Sequence, residues 1–197
     1  MQSRSEETQA NILQAAYLLF SQSGYEATSV AEICQAAGVS KGAFYHHFPT
    51  KQAVFIKLMD SWLSELDHAF DEALTDTQDV PQAIDKLAHM AAGTLQSADA
   101  RLSIFLEFSC QAYRDPQIWQ AAIAPYHRYR EFFSSLVQKG VESGSLHPVN
   151  PNLAARVCVS LAIGLLMQAI FDPQGADWGQ ETVQSYQLVV EGLKPAP

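Results

Sequence analysis

Thr28–Lys51 reads TSVAEICQAAGVSKGAFYHHFPTK, and the caps and stops in this stretch decide the fold. Ser29-Val30-Ala31-Glu32 has the form of a capping box. The serine oxygen accepts an amide at the third helical position, and the glutamate reaches back to the serine amide. Val30, Ile33 and Cys34 then fall on one helical face. Gly38 supplies a residue able to end a helix in the left-handed region. A further helix, capped by Ser40, is expected from Lys41 to about His47. It stops there because Pro49 disfavours helical geometry in the residue before it. Thr50 then caps a long helix beginning at Lys51. Two short helices round a tight glycine turn make a helix-turn-helix. In that motif the second helix enters the DNA major groove, with its N-terminal residues at the base edges.

Helical periodicity extends in both directions from this stretch. Upstream, Ile12, Ala16, Leu19 and Phe20 share one face of a helix over about residues 5–22, stopped by Gly24. Downstream, helices are expected over about 51–74, 81–95, 100–113, 116–143, 151–171 and 180–192, with a loop over 75–80. Pro81 and Asn150-Pro151 open two of them, and Pro125 is expected to kink another. No alternating strand pattern and no Asn-Gly or Asp-Gly hairpin signal interrupts them. The expected fold is all-α, with about nine helices. A three-helix DNA-binding domain at 1–50, its motif at about 29–48, is joined by the long fourth helix to a helical domain at 51–197.

The 197 residues are 48% hydrophobic and 17% charged, enough apolar material for a core. A net charge of −9 excludes a general nucleic-acid coat, so any DNA contact must be a local patch. Even that patch is not basic. Residues 1–52 hold three basic side chains (Arg4, Lys41, Lys51) against four acidic ones (Glu6, Glu7, Glu26, Glu32), a net of −1. Affinity must then lean on amides, hydroxyls and two symmetry-related copies, and the salt dependence per subunit should be modest. Cys34, Cys110 and Cys158 lie far apart in apolar helical contexts, which fits buried, reduced thiols in a cytoplasmic protein. No CxxC or HExxH spacing is present, and neither a metal nor any other cofactor is expected. Met1–Glu7 lacks the apolar stretch of a signal peptide. Leu153–Phe171 has the length of a membrane span. It contains Arg156, Ser160 and Gln168, which are costly in lipid, so a helix in a protein interface is expected and no membrane partner.

In its pattern of Thr/Ser, Ile, Ala-Gly-Val-Ser, small residue, aromatic-Tyr, His, Phe and Lys, Thr28–Lys51 resembles the TetR (tetracycline-repressor-like) family. The likeness is dense over about 45 residues, taking in the first helix and Gly24, and beyond them it rests on helix number and length. The resemblance implies a double-stranded DNA operator as partner and a set of contact residues. Thr28 and Ser29 would offer hydroxyls and free amides to a phosphate at a helix N-terminus. Ser40 and Lys41 would begin the recognition helix, with Lys41 on a guanine edge or a phosphate. Gly42 and Ala43 would let the helix approach closely. Tyr45 and His46 would flank the groove, His47 is open to packing inward or reaching a phosphate, and Lys51 would clamp another phosphate. Phe44 and Phe48 are expected in the core.

The resemblance further implies that the later helices enclose a small-molecule pocket. The candidates to line it are Met59, Trp62, Met90, Phe105, Phe108, Tyr113, Trp119, Tyr126 and Met167, residues that equally suit a core. Glu107 stands between Leu106 and Phe108. It is open to balancing a cationic ligand, or to pairing with Arg101, Arg114 or an interface arginine. A reader with one small helix-turn-helix gains specificity by forming a homodimer. The expected interface is a stripe of Leu153, Val157, Leu161 and Leu165 on the eighth helix, with Val183, Tyr186 and Val190 on the ninth. The expected function is a ligand-responsive regulator, a repressor by preference. The rival is a helical small-molecule-binding or adaptor protein with weak or lost DNA binding. An enzyme is not expected, because no spacing motif selects residues such as Glu107, His127 and Cys110.

Overall fold

A computed structural model describes residues 2–75, 79–96 and 99–195. Among these residues the chain forms nine α-helices and no strand: α1 (Gln2–Ser23), α2 (Val30–Ala37), α3 (Lys41–His47), α4 (Lys51–Thr75), α5 (Val80–Gln96), α6 (Asp99–Ala112), α7 (Pro116–Ser143), α8 (Pro151–Phe171) and α9 (Trp178–Leu193). The all-α expectation holds, with each helix where periodicity put it. Residues 76–78 of the expected loop lie outside the described residues.

The local signals act as read. Ser29 Oγ accepts the Glu32 amide at 3.2 Å, while the Ser29 amide donates to Glu32 Oε2 at 2.7 Å, completing the capping box. Gly38 ends α2 at φ 66°, a conformation that costs a side-chain-bearing residue about 1–2 kcal/mol. Ser40 Oγ accepts the Ala43 amide, and Thr50 Oγ1 the Ala53 amide, each at 3.1 Å. Asn150 Oδ1 accepts from Asn152 and Leu153 at the start of α8. α7 runs unbroken through Pro125.

The helices group by contact, not by chain order, into two compact units. The first holds Met1–Ser64 with Ala100–Ala122, so α6 and the start of α7 belong with the N-terminal helices. Its core joins Ile12, Ala16 and Phe20 of α1 to Ile33 and Cys34 of α2, Phe44 of α3, and Val54 and Phe55 of α4. Phe55 is the hinge of the aromatic packing. Its ring stands edge-on to Phe20 at 5.5 Å, stacks on Tyr25 at 4.5 Å and meets Phe108 of α6 at 5.4 Å. Each such buried ring contributes about 1.5–3 kcal/mol.

The second unit holds Glu65–Asp99 with Ile123–Pro197. Val80, Ile84 and Leu87 of α5 pack with Phe133 and Val137 of α7, Ala155 and Cys158 of α8, and Tyr186 and Val190 of α9. The Tyr186 hydroxyl donates to the Cys158 carbonyl at 2.8 Å across this core. Gly140 of α7 allows a close approach: a Cβ there would stand 2.6 Å from Leu146 Cδ1.

Candidate nucleic-acid interface

α3 has two sides. Phe44 and Phe48 turn inward and are buried, which fixes the helix against α1 and α2. Lys41, Gly42, Tyr45 and His46 are exposed on the other side, with Tyr45 at 53% of its full accessibility. Ala43 and His47 lie at the margin, half-buried. Ser40 is exposed, and its oxygen already accepts an amide, leaving the hydroxyl proton for an outside acceptor. Ser29 is likewise exposed at the start of α2, its oxygen accepting the Glu32 amide and its hydroxyl committed to the Glu32 carboxylate. Among the described residues nothing crowds position 42, where an added Cβ would meet Ser40 Oγ at 3.8 Å. The hydrogen bonds from Ser29, side chain first and then backbone, hold the Glu32 carboxyl below its usual range.

Two expected phosphate contacts are placed otherwise. Thr28 is buried, and its hydroxyl donates to the Gly24 carbonyl at 2.8 Å. Lys51 is half-buried and turned toward the α1–α2 loop. Its ammonium donates to the carbonyls of Tyr25 at 2.6 Å and Thr28 at 2.8 Å, and more weakly to Glu26 at 3.5 Å. It also lies over the Tyr25 ring, 4.2 Å from the centroid. The physical reason is that a loop without regular structure leaves carbonyls to be satisfied, and a lysine at the first turn of α4 is in reach. Glu107 also has an unexpected partner: both its oxygens accept the Tyr25 amide, at 2.7 Å each. The Arg101 side chain lies outside the described residues.

The pocket candidates divide. In the first unit Met59, Trp62 and Phe108 are buried and Phe105 is half-buried, with the Trp62 and Phe105 rings edge-on at 5.7 Å. The buried Trp62 indole N–H has no acceptor among the described residues. Tyr113, at 90% exposure, and Trp119, at 47%, are corrected to surface residues, since Tyr113 lies in the turn after α6 and α7 turns Trp119 away from its packed face. In the second unit Met90 and Tyr126 pack on the core, and Met167 is half-buried.

The interface candidates also divide. Leu153 and Val157 are exposed, at 59% and 46%. Leu161 and Val183 are half-buried, and Leu165, Tyr186 and Val190 belong to the chain's own core. A stripe read at every fourth residue drifts by about 40° per step, so its later members rotate inward. The exposed apolar residues that the stripe missed are Ile163, Phe171 and Leu188. Phe171 was legible: it stands about five full turns from Leu153 and so shares its side of α8. α8 is long and apolar enough to cross a membrane, and a third of its most apolar stretch is buried.

Comparison with known proteins bears on both units. Residues 12–58 match the family described as "Bacterial regulatory proteins, tetR family", and residues 83–186 match "BetI-type transcriptional repressor, C-terminal". The chain is 28% identical to the uncharacterized HTH-type transcriptional regulator YfiR of Bacillus subtilis, over 87% of this chain and 85% of the relative. It is 23% identical to the HTH-type transcriptional regulator UidR of Escherichia coli, over 100% and 97%. Among solved structures, a TetR transcription regulator from Haloarcula marismortui superposes with a TM-score of 0.86 at 16% identity, covering 96% of this chain and all of that one. A regulator from Saccharomonospora viridis, solved in complex with choline, gives 0.84 at 19% identity, covering 97% and 100%.

Proposed function

Since the chain belongs to the TetR family of DNA-binding transcriptional regulators, with a BetI-type C-terminal domain, we propose that it is a ligand-responsive repressor acting as a cytoplasmic homodimer. The dimer binds a near-palindromic operator, and a small hydrophobic or amphipathic effector releases it. The observation that carries the DNA reading is the two-sidedness of α3. Phe44 and Phe48 anchor it, while Lys41, Gly42, Tyr45 and His46 face outward from its first two turns. Ser29, Ser40, Ala43 and His47 border that surface. Gly42, which no contact among the described residues requires, suits close approach to a groove.

Two further observations support the rest. The exposed Leu153, Val157 and Phe171 on α8, with Leu188 on α9, suit an interface with a second copy. The buried Trp62 N–H, beside Phe105, suits an effector that carries a carbonyl or carboxylate oxygen. An unmet buried donor costs about 1–3 kcal/mol, which such an oxygen would recover. Release requires the effector to bind the DNA-free conformation more tightly, by about 1–3 kcal/mol.

The acidic head, with Lys51 turned inward, favours one rival: a helical small-molecule-binding or adaptor protein with lost DNA binding. Selection of duplexes from a randomised library by the purified dimer separates the two. A repressor enriches a sequence with two-fold symmetry and half-sites about 34 Å apart. An adaptor enriches none.

A further inference from the structure

The Gly24–Ser29 loop joins α1 to the capping serine of α2, and its main chain is met from two sides. From α6, Glu107 accepts the Tyr25 amide on both oxygens at 2.7 Å. One turn further along α6, Gln111 Nε2 donates to Glu26 Oε1 at 2.7 Å. From α4, Lys51 holds the Tyr25 and Thr28 carbonyls. Tyr25 is therefore gripped on both flanking peptides, by its N–H from one helix and by its carbonyl from another. Gly24, at φ 82°, sets the turn that presents this amide, and a Cβ there would only touch Glu107 Oε1, at 3.4 Å.

A loop that needs only a satisfied amide can obtain it from a local serine, asparagine or aspartate. Here the acceptor is a half-buried charge 82 residues away, flanked by Leu106 and Phe108. Charge-assisted bonds of this kind are the strong, geometrically demanding ones. The loop they hold leads directly into the Ser29 cap, and α2 packs on α3.

We propose that Glu107 is a positioning residue for operator binding. It fixes the Tyr25 amide, and with it the α1–α2 loop, the start of α2 and the placing of α3. Gln111 is its second tie. The inference rests on the operator-binding reading above. It has a diagnostic sign: removing a carboxylate that lies against the acidic head should, by charge alone, tighten DNA binding, whereas loss of the grip should weaken it.

The test uses the full chain and the duplex that the wild-type protein selects from a randomised library. Operator affinity is read by fluorescence anisotropy, and the Tyr25 amide by hydrogen exchange. Glu107→Gln keeps the shape and one acceptor, and is expected to bind severalfold more weakly. Glu107→Ala is expected to lose about tenfold. Tyr25 exchange should accelerate in the same order, with the salt slope unchanged because no phosphate contact is lost. Should the alanine variant fail to fold, the glutamine variant carries the test. Equal or tighter binding by Glu107→Gln, with a faster Tyr25 amide, overturns the proposal alone. A wild-type protein that selects no duplex overturns the operator-binding reading and the proposal with it.

Discussion

The Lys51 ammonium lies 2.6 Å from the Tyr25 carbonyl oxygen and 4.2 Å from the centre of the Tyr25 ring. A basic side chain at the edge of a helix-turn-helix thus holds a loop. On the proposed reading surface of α3, Lys41 is then left as the exposed lysine.

Lys51 and Lys41 should therefore differ under substitution. Lys51→Met should destabilise the protein by about 1–3 kcal/mol, through carbonyls left unmet, without changing the slope of log affinity against log salt. Lys41→Ala should leave stability within about 0.5 kcal/mol and reduce that slope by about 1. Chemical denaturation and salt titrations of operator binding check both. A slope lowered by Lys51→Met would return that residue to the DNA.

Dimerisation should follow exposure rather than periodicity. Val157→Glu places a charge on exposed apolar surface and should yield monomers by light scattering. Tyr186→Phe removes a buried hydroxyl bonded to the Cys158 carbonyl. It should cost about 1 kcal/mol of stability and leave the dimer intact. Dissociation on Tyr186→Phe with an intact Val157→Glu dimer would move the interface to α9.

Two glycines predict opposite signs. Gly140→Ala drives a methyl to 2.6 Å from Leu146, which is itself fully buried, and Val80 stands at 3.1 Å on another side. Overpacking there should destabilise by about 1–3 kcal/mol. At Gly93, in α5, no described atom beyond its chain neighbours and the helix's own backbone lies within 4 Å of an added Cβ. Alanine there should stabilise by about 0.5–1 kcal/mol, through helix propensity. Thermal melts of the two variants decide it.

The thiols should separate by burial. Cys34 and Cys158 are buried and Cys110 is exposed. Burial pushes the Cys158 thiol up to about 11, so at pH 8 only about a thousandth of it is thiolate. A maleimide should label one cysteine per native chain, at Cys110, and all three only after unfolding. Labelling at Cys158 in the native protein would show that the α8–α9 packing opens.

What the sequence by itself determined is what neighbours along the chain decide. Ser29 and Glu32 are three residues apart, so their capping box was legible, as were the stop at Gly38, the caps at Ser40 and Thr50, and the inward turn of Phe44 and Phe48. The nine helices of the described residues and the two-sidedness of α3 follow from such short-range signals. The tertiary structure alone decided where long side chains go when several partners are in reach. Lys51 reaches back 26 residues to Tyr25, and Glu107 reaches back 82 to the same residue. It also decided which sides of α8 and α9 are core. A side chain's charge or apolarity is a property of the residue, but its partner is a property of packing. No spacing rule joins Glu107 to Tyr25 before the chain has folded.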